Sequence, residues 1–151
     1  MSDIHTYTIN GSWNNDDSRL GNITGHNFST AISIGTEMHD AEKSANPEEL
    51  LLGAAAGCYL ITLAKLLKNR KIPFQRIELE SQAIVEDNKG LRIDRIIHRP
   101  HIFINDSTSD SAAHDKCATF AHHAEHACMV SSALRGNVAI SVEPRITKLN
   151  P

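Results

Sequence analysis

The sequence predicts an α+β domain, a mostly antiparallel sheet packed on two helices, from three patterns. Alternating β-branched and aromatic runs separated by turn residues point to strands. A capped run of apolar and small residues after Asn46 points to a long helix, and a stripe of Ala, Cys and Phe after Thr108 points to a second. In 151 residues there is room for one domain with its own core, so residues 1–151 are read as a single domain.

Tyr7 to Trp13, Asn22 to His26 and Ser29 to Ile34 read as an N-terminal antiparallel meander with Asn and Gly between the runs. Asn46 then caps a helix, Pro47 fits its first turn, and Glu49 stands where a capping box places its acid. That helix runs to about Arg70, because Lys65, Lys68 and Arg70 suit the negative end of the helix dipole and Pro73 forbids continuation. From Leu50 to Ala64 nearly every side chain is apolar or small, so burial on all sides is expected. The stretch is about fifteen residues, short of the roughly twenty that a membrane span needs.

Two longer strands follow, about Arg76 to Glu86 and Arg92 to Asn105, joined by the hairpin chemistry of Asp87-Asn88-Lys89-Gly90. Ile77, Leu79 and Ser81 alternate with Glu78 and Glu80, which leaves one face in water. The second helix starts near Thr108 to Asp110 and carries Ala113, Cys117, Phe120, Ala121, Ala124 and Cys128 on one stripe. Gly136 ends a short helical turn after Cys128, and Val138 to Val142 closes as a strand.

A net charge of -3 with no run of Lys and Arg gives no footprint for nucleic acid or an anionic membrane. The start Met1-Ser2-Asp3-Ile4-His5-Thr6 lacks the features of a secretion signal, and three cysteines in such a chain suit a reducing, cytoplasmic compartment. There any disulfide is expected to be transient and catalytic.

Two cysteine contexts are distinctive. The first is Asn46-Pro47-Glu48-Glu49-Leu50, followed by a small-residue run into Cys58; the second is Cys128-Met129-Val130-Ser131. Together with the order of elements they resemble the OsmC/Ohr family of organic hydroperoxide reductases, from about Tyr7 to Val142. The resemblance implies an OsmC-like fold in an interwoven homodimer, with two long helices at its centre and active sites at the subunit interface. It also implies a peroxidatic cysteine, Cys58, a resolving cysteine, Cys128, and no cofactor or metal. The substrate would be an organic hydroperoxide, and a dithiol of lipoyl or thioredoxin type would restore the thiols. Many members place Pro directly after the resolving cysteine, where Met129 stands here, which bears on the local bend at that junction.

The residues must support the chemistry themselves. A free thiol, with a pKa of about 8.5, is only a small fraction thiolate at neutral pH, and apolar burial raises it further. Cys58 lies about three turns into its helix, too deep for that helix's own dipole, so an arginine is expected to supply positive charge. Arg19 is the only arginine before Arg70. By resemblance, Arg19 is the catalytic arginine and Glu48 the acid that orients it. Ten residues of straight helix put Glu48 and Cys58 roughly 15 Å apart, so a shared site needs a residue from another subunit or an irregular first turn. Leu51, Ala55, Tyr59 and Phe120 are candidates for apolar surroundings, which would favour organic hydroperoxides over hydrogen peroxide.

Other readings compete. Cys58 alone would be an inert core thiol, Glu48 a dipole-stabilised acid, and Arg19 a solvated charge after Asn14-Asn15-Asp16-Asp17-Ser18. Cys117, eleven residues before Cys128 on one stripe, is packing. His122-His123-Ala124-Glu125-His126 satisfies the inverted zinc-peptidase pattern, with Glu143 the only acid after it for a third ligand. A non-catalytic module that binds a hydrophobic ligand is the remaining class.

Overall fold

The computed structural model describes residues 3–16, 20–33, 44–105 and 111–149; most expected elements are present, the first strand is shorter than Tyr7 to Trp13, and strands at 44–45 and 145–149 add to those expected. Two compact units are present, residues 1–51 and 52–151. In the first, β1 (Asn10–Trp13), β2 (Gly21–Thr24) and β3 (Ser29–Ile32) form the expected antiparallel meander. A two-residue strand, β4 (Ser44–Ala45), adds parallel to β3. Ile34, the expected end of the third run, lies outside the described residues. Ile4, Tyr7, Ile9, Trp13 and Phe28 are all exposed.

Helix α1 (Pro47–Asn69) begins in the first unit and continues into the second. Its start is a capping box: the Glu49 N–H donates to Asn46 Oδ1 at 2.7 Å, and the Asn46 N–H donates to Glu49 Oε2 at 3.3 Å. Asn46→Ala is therefore expected to cost about 1 kcal/mol of stability in urea unfolding, with an unchanged slope. Lys71, at φ 56°, stops the helix: its N–H donates to the Lys68 carbonyl, and the Ile72 N–H donates to that of Leu67.

In the second unit β5 (Arg76–Asp87) and β6 (Leu91–Asn105) pair antiparallel, with a bulge at Ile84/Val85. Ile77, Leu79, Ser81 and Ala83 sit opposite Ile102, Pro100, His98 and Ile96, and together make the inward face. Helix α2, described over Ser111–Ala127, and helix α3 (Met129–Leu134) then lead to β7 (Ala139–Val142) and β8 (Arg145–Leu149). The expected start of α2, Thr108 to Asp110, lies outside the described residues. Both final strands pair parallel to β6, a feature the alternation did not disclose. The reason is the crossover: the helices return the chain to the beginning of β6, so the next strand must run the same way.

One stripe of α1 is sealed. Ala55, Tyr59, Leu63 and Leu67, four residues apart, have no exposed surface. Tyr59, Leu63 and Leu67 pack with Ile102, Ile104, Cys117, Ala121, Ala124 and Cys128, and Ala55 packs with Ile96 and Val138. Burial on all sides is not found: Ile61 is 70% exposed, and Gly53, Ala54 and Gly57 are exposed beside it. One sheet and one partner helix can cover only one side of a cylinder, which leaves the opposite side bare. By length and composition alone α1 could cross a membrane, its most apolar 18 residues having a mean hydropathy of 1.9.

Candidate active site

Cys58 is half-buried on α1, one residue before the sealed Tyr59. It looks onto the junction between α2 and α3. There Cys128 adopts an extended backbone, φ -72° and ψ 124°, which ends α2 and opens α3. As the residue preceding a helix, Cys128 leaves the first amides of α3 free of intrahelical partners. Its own thiol caps nothing. The backbone of Val130 and Met129 and the Cys128 thiol lie close enough to the Cys58 sulfur to lower its pKa.

Burial pushes the Cys58 pKa up, but the Val130 amide, the Cys128 thiol and the Met129 amide, in that order, outweigh it. The net effect is a thiol held below its ordinary value. The Thr62 hydroxyl is also within reach of the sulfur, but it donates to the Cys58 carbonyl at 2.8 Å. A hydroxyl has one proton, so the carbonyl bond takes precedence and Thr62 adds little. Cys117 lies in the core, where burial pushes its pKa up to about 11, as suits a packing thiol.

The structure thus brings Cys58 and Cys128 together as free thiols. It does not bring Glu48 to them. Glu48 is exposed in the first turn of α1, and the capping box shows that turn to be regular. Along an unbroken helix about 15 Å separates the two residues, which removes the irregular-turn alternative. Arg19 lies outside the described residues. Among the expected apolar neighbours, Ala55 and Tyr59 face the core. Phe120 lies under the Arg70 guanidinium, 5.4 Å away, and packs against the same core cluster as Cys58.

The backbone amides of Met129 and Val130 are the functional groups that sequence reasoning missed. The signal available was the short turn between Cys128 and Gly136, too short to read as a helix with a start of its own.

A polar group sits behind the thiols. The Tyr59 O–H donates to the Ala121 carbonyl at 2.9 Å, and the Tyr59 ring stacks on His98 at 4.6 Å. His98 Nδ1 bonds the Ser81 hydroxyl across the hairpin at 2.7 Å, and burial lowers the His98 pKa against an opposing pull from Glu125. Burial raises the Tyr59 pKa, helped by Glu125 and Cys128. Both rings are therefore neutral at pH 7.

The zinc-peptidase pattern is not assembled. Glu125 is 7% exposed and turned inward to Arg135, whereas His122, His123 and His126 are exposed. Glu125 is thus engaged by the Arg135 guanidinium, which leaves it no role as a base toward a metal-bound water. Glu143, the suggested third ligand, is paired with Arg99 at 2.8 Å on the sheet. Among the described residues no three His, Cys, Asp or Glu side chains are grouped to hold an ion.

The fold is α+β, and it seats two free thiols, Cys58 and Cys128, near one another at the start of a helix. The OsmC-like protein family matches residues 39–143, and the chain belongs to that family. It is 37% identical over 150 residues to YmaD, an uncharacterised protein of Bacillus subtilis (strain 168), covering 97% of each chain. Among solved structures, the organic hydroperoxide resistance protein OhrB of Bacillus subtilis has a similar fold, with a TM-score of 0.73 at 21% identity over 93% of this chain and 98% of that one. The organic hydroperoxide resistance protein OsmC of Legionella pneumophila gives 0.73 at 18% over 95% and 99%. An OsmC-like protein of unknown function from Vibrio cholerae gives 0.77 at 13% over 93% and 99%.

Proposed function

We propose that the chain is a thiol-dependent peroxidase that reduces organic hydroperoxides to alcohols. The observation that carries the reading is the acidified Cys58 thiol in contact with the Cys128 S–H. Cys58 thiolate attacks the terminal peroxide oxygen, the O–O bond breaks, and the alkoxide leaves and takes a proton from water. Cys58 is now a sulfenic acid. The Cys128 sulfur then attacks the Cys58 sulfur, the S–O bond breaks, and the Cys128 proton leaves with the hydroxide as water. An external dithiol of lipoyl or thioredoxin type reduces the disulfide by exchange and is itself oxidised.

In this reading Arg19 steadies the thiolate and the departing alkoxide, and Glu48 orients Arg19. At least one of them, in this reading, serves the thiol of a second copy, which the ten residues of helix between Glu48 and Cys58 support. A homodimer with its sites at the subunit interface accounts for Ile61, 70% exposed on α1, and Met129, 73% exposed directly after Cys128. The apolar side chains at that boundary favour a hydroperoxide with a carbon tail. No cofactor or metal is required, and the compartment is cytoplasmic, where dithiol reductants are maintained.

The test is consumption of cumene hydroperoxide against hydrogen peroxide, with dithiothreitol supplied. Faster loss of the organic substrate supports the reading. If neither peroxide is lost faster than with dithiothreitol alone, the family's hydrophobic-ligand alternative takes its place.

A further inference from the structure

We infer that Glu125 and Arg135 are positioning residues for the two thiols, a clamp across the junction that holds Cys128, Met129 and Val130 against Cys58. The inference deepens the peroxidase reading and rests on it for its biological meaning, but its geometry stands separately. Arg135 caps the end of α3, and its N–H donates to the Ser131 carbonyl at 2.9 Å. From there one guanidinium nitrogen reaches back over the whole of α3 to the last turns of α2. It lies 3.1 Å from Glu125 Oε1 and 3.5 Å from the Glu125 carbonyl oxygen. The same carbonyl accepts the Cys128 N–H at 3.3 Å. A single residue of α2 therefore anchors both ends of the segment that faces Cys58.

Core packing of Cys128 and Val130 holds the junction from the inside, and the clamp holds it from the other side. Cys128 has no side-chain cap and α3 is only six residues long, so neither helix end is stiff by itself. Gly136 follows Arg135 at φ 89°, a left-handed conformation that lets the chain leave α3 at once and keeps the guanidinium over Glu125. The carboxylate is held in place by burial: its side chain is 10% exposed against 45% for Arg135. Its other charged or titratable neighbours are His126, whose Nδ1 is 3.4 Å from Oε2, and the neutral Tyr59 and His98 across the core. Arg135 reaches the carboxylate from a surface cleft of about 260 Å³ that Val138 and Ile140 also line.

A hydrogen bond to sulfur weakens steeply with distance and angle. Loosening the clamp should therefore be read at Cys58, which touches neither altered residue directly. The experiment measures the rate of Cys58 alkylation by iodoacetamide against pH, followed by the mass of the Cys58 peptide, in Arg135→Met, Arg135→Lys and the double variant Glu125→Gln/Arg135→Met. The double variant leaves no unpaired buried charge, so it keeps the test open if Arg135→Met does not fold. The midpoint is expected to rise by about one pH unit in Arg135→Met and in the double variant, a tenfold loss of thiolate below the midpoint. Arg135→Lys is expected to restore part of the shift. A lowered melting temperature with an unmoved Cys58 midpoint in the folded double variant would show a structural ion pair only and overturn the inference. Because alkylation needs no peroxide, a moved midpoint in a protein that consumes no hydroperoxide would retain the clamp and reject the peroxidase.

Discussion

With Cys58 replaced by serine, consumption of cumene hydroperoxide is expected to fall to the rate of the dithiol alone. The isosteric hydroxyl fills the same space and meets the same amides, so packing and stability should change little. What disappears is the nucleophile. Neighbouring donors cannot ionise an alcohol at neutral pH, whereas they shift a thiol, whose ordinary pKa is already within a few units of neutrality, toward its thiolate. The wild-type pH profile checks the same cause. Thiolate is the basic form, so the rate should rise with pH through the Cys58 ionisation, and its midpoint should lie below the ordinary thiol value of about 8.5. A profile centred at or above that value would mean that burial, the largest single influence on Cys58, had prevailed over the donors. Serine at position 58 that still consumed hydroperoxide at the wild-type rate would place the chemistry elsewhere.

Much of this arrangement could be read from residue order. Asn46, Pro47 and Glu49 announce the start of α1 because capping is local, fixed within four consecutive residues, and the box forms as written. The β5–β6 hairpin is equally local: Lys89 and Gly90 take the positive φ values that its turn needs. The Cys58 and Cys128 contexts mark a thiol pair seventy residues apart, and the fold brings them together. Where reading failed, the cause was non-local. The parallel seating of β7 and β8 depends on where two helices deliver the chain, not on alternation within the strands. The bare side of α1 depends on what else is present to cover it, which no hydrophobic run can state. The sequence points to an arginine as the source of positive potential because side-chain charges are visible in it, and Arg19 lies outside the described residues; the amides of α3 are additional donors that it does not show. Backbone amides become donors only where a helix starts, and α3 starts at a cysteine without Pro, Ser or Asp to advertise it. Likewise, Glu125 was read with its histidine neighbours in sequence, while its partner in space is Arg135.

Replacing Cys128 by serine should separate the two halves of the reaction. The serine hydroxyl can still donate toward Cys58, so the first step, attack on peroxide, is retained. The second is lost, because oxygen cannot form the disulfide. Without a dithiol, wild-type protein and Cys128→Ser are both expected to consume about one hydroperoxide per chain and then stop. Their products differ: an internal disulfide joins the Cys58 and Cys128 peptides in the wild type, whereas the variant gains about 16 Da at Cys58 as a sulfenic acid. With excess hydroperoxide the gain should grow to about 32 Da, a sulfinic acid that dithiothreitol does not reverse, and turnover should die within a few cycles. Burial favours this division of labour. Cys128 is wholly enclosed, so peroxide reaches it poorly, while its single thiol proton is already directed at the sulfur that will carry the hydroxyl. If Cys128→Ser turned over as fast as wild type with no sulfinic product, Cys128 would be only a hydrogen-bond donor to Cys58, and the reductant would act on the sulfenic acid directly.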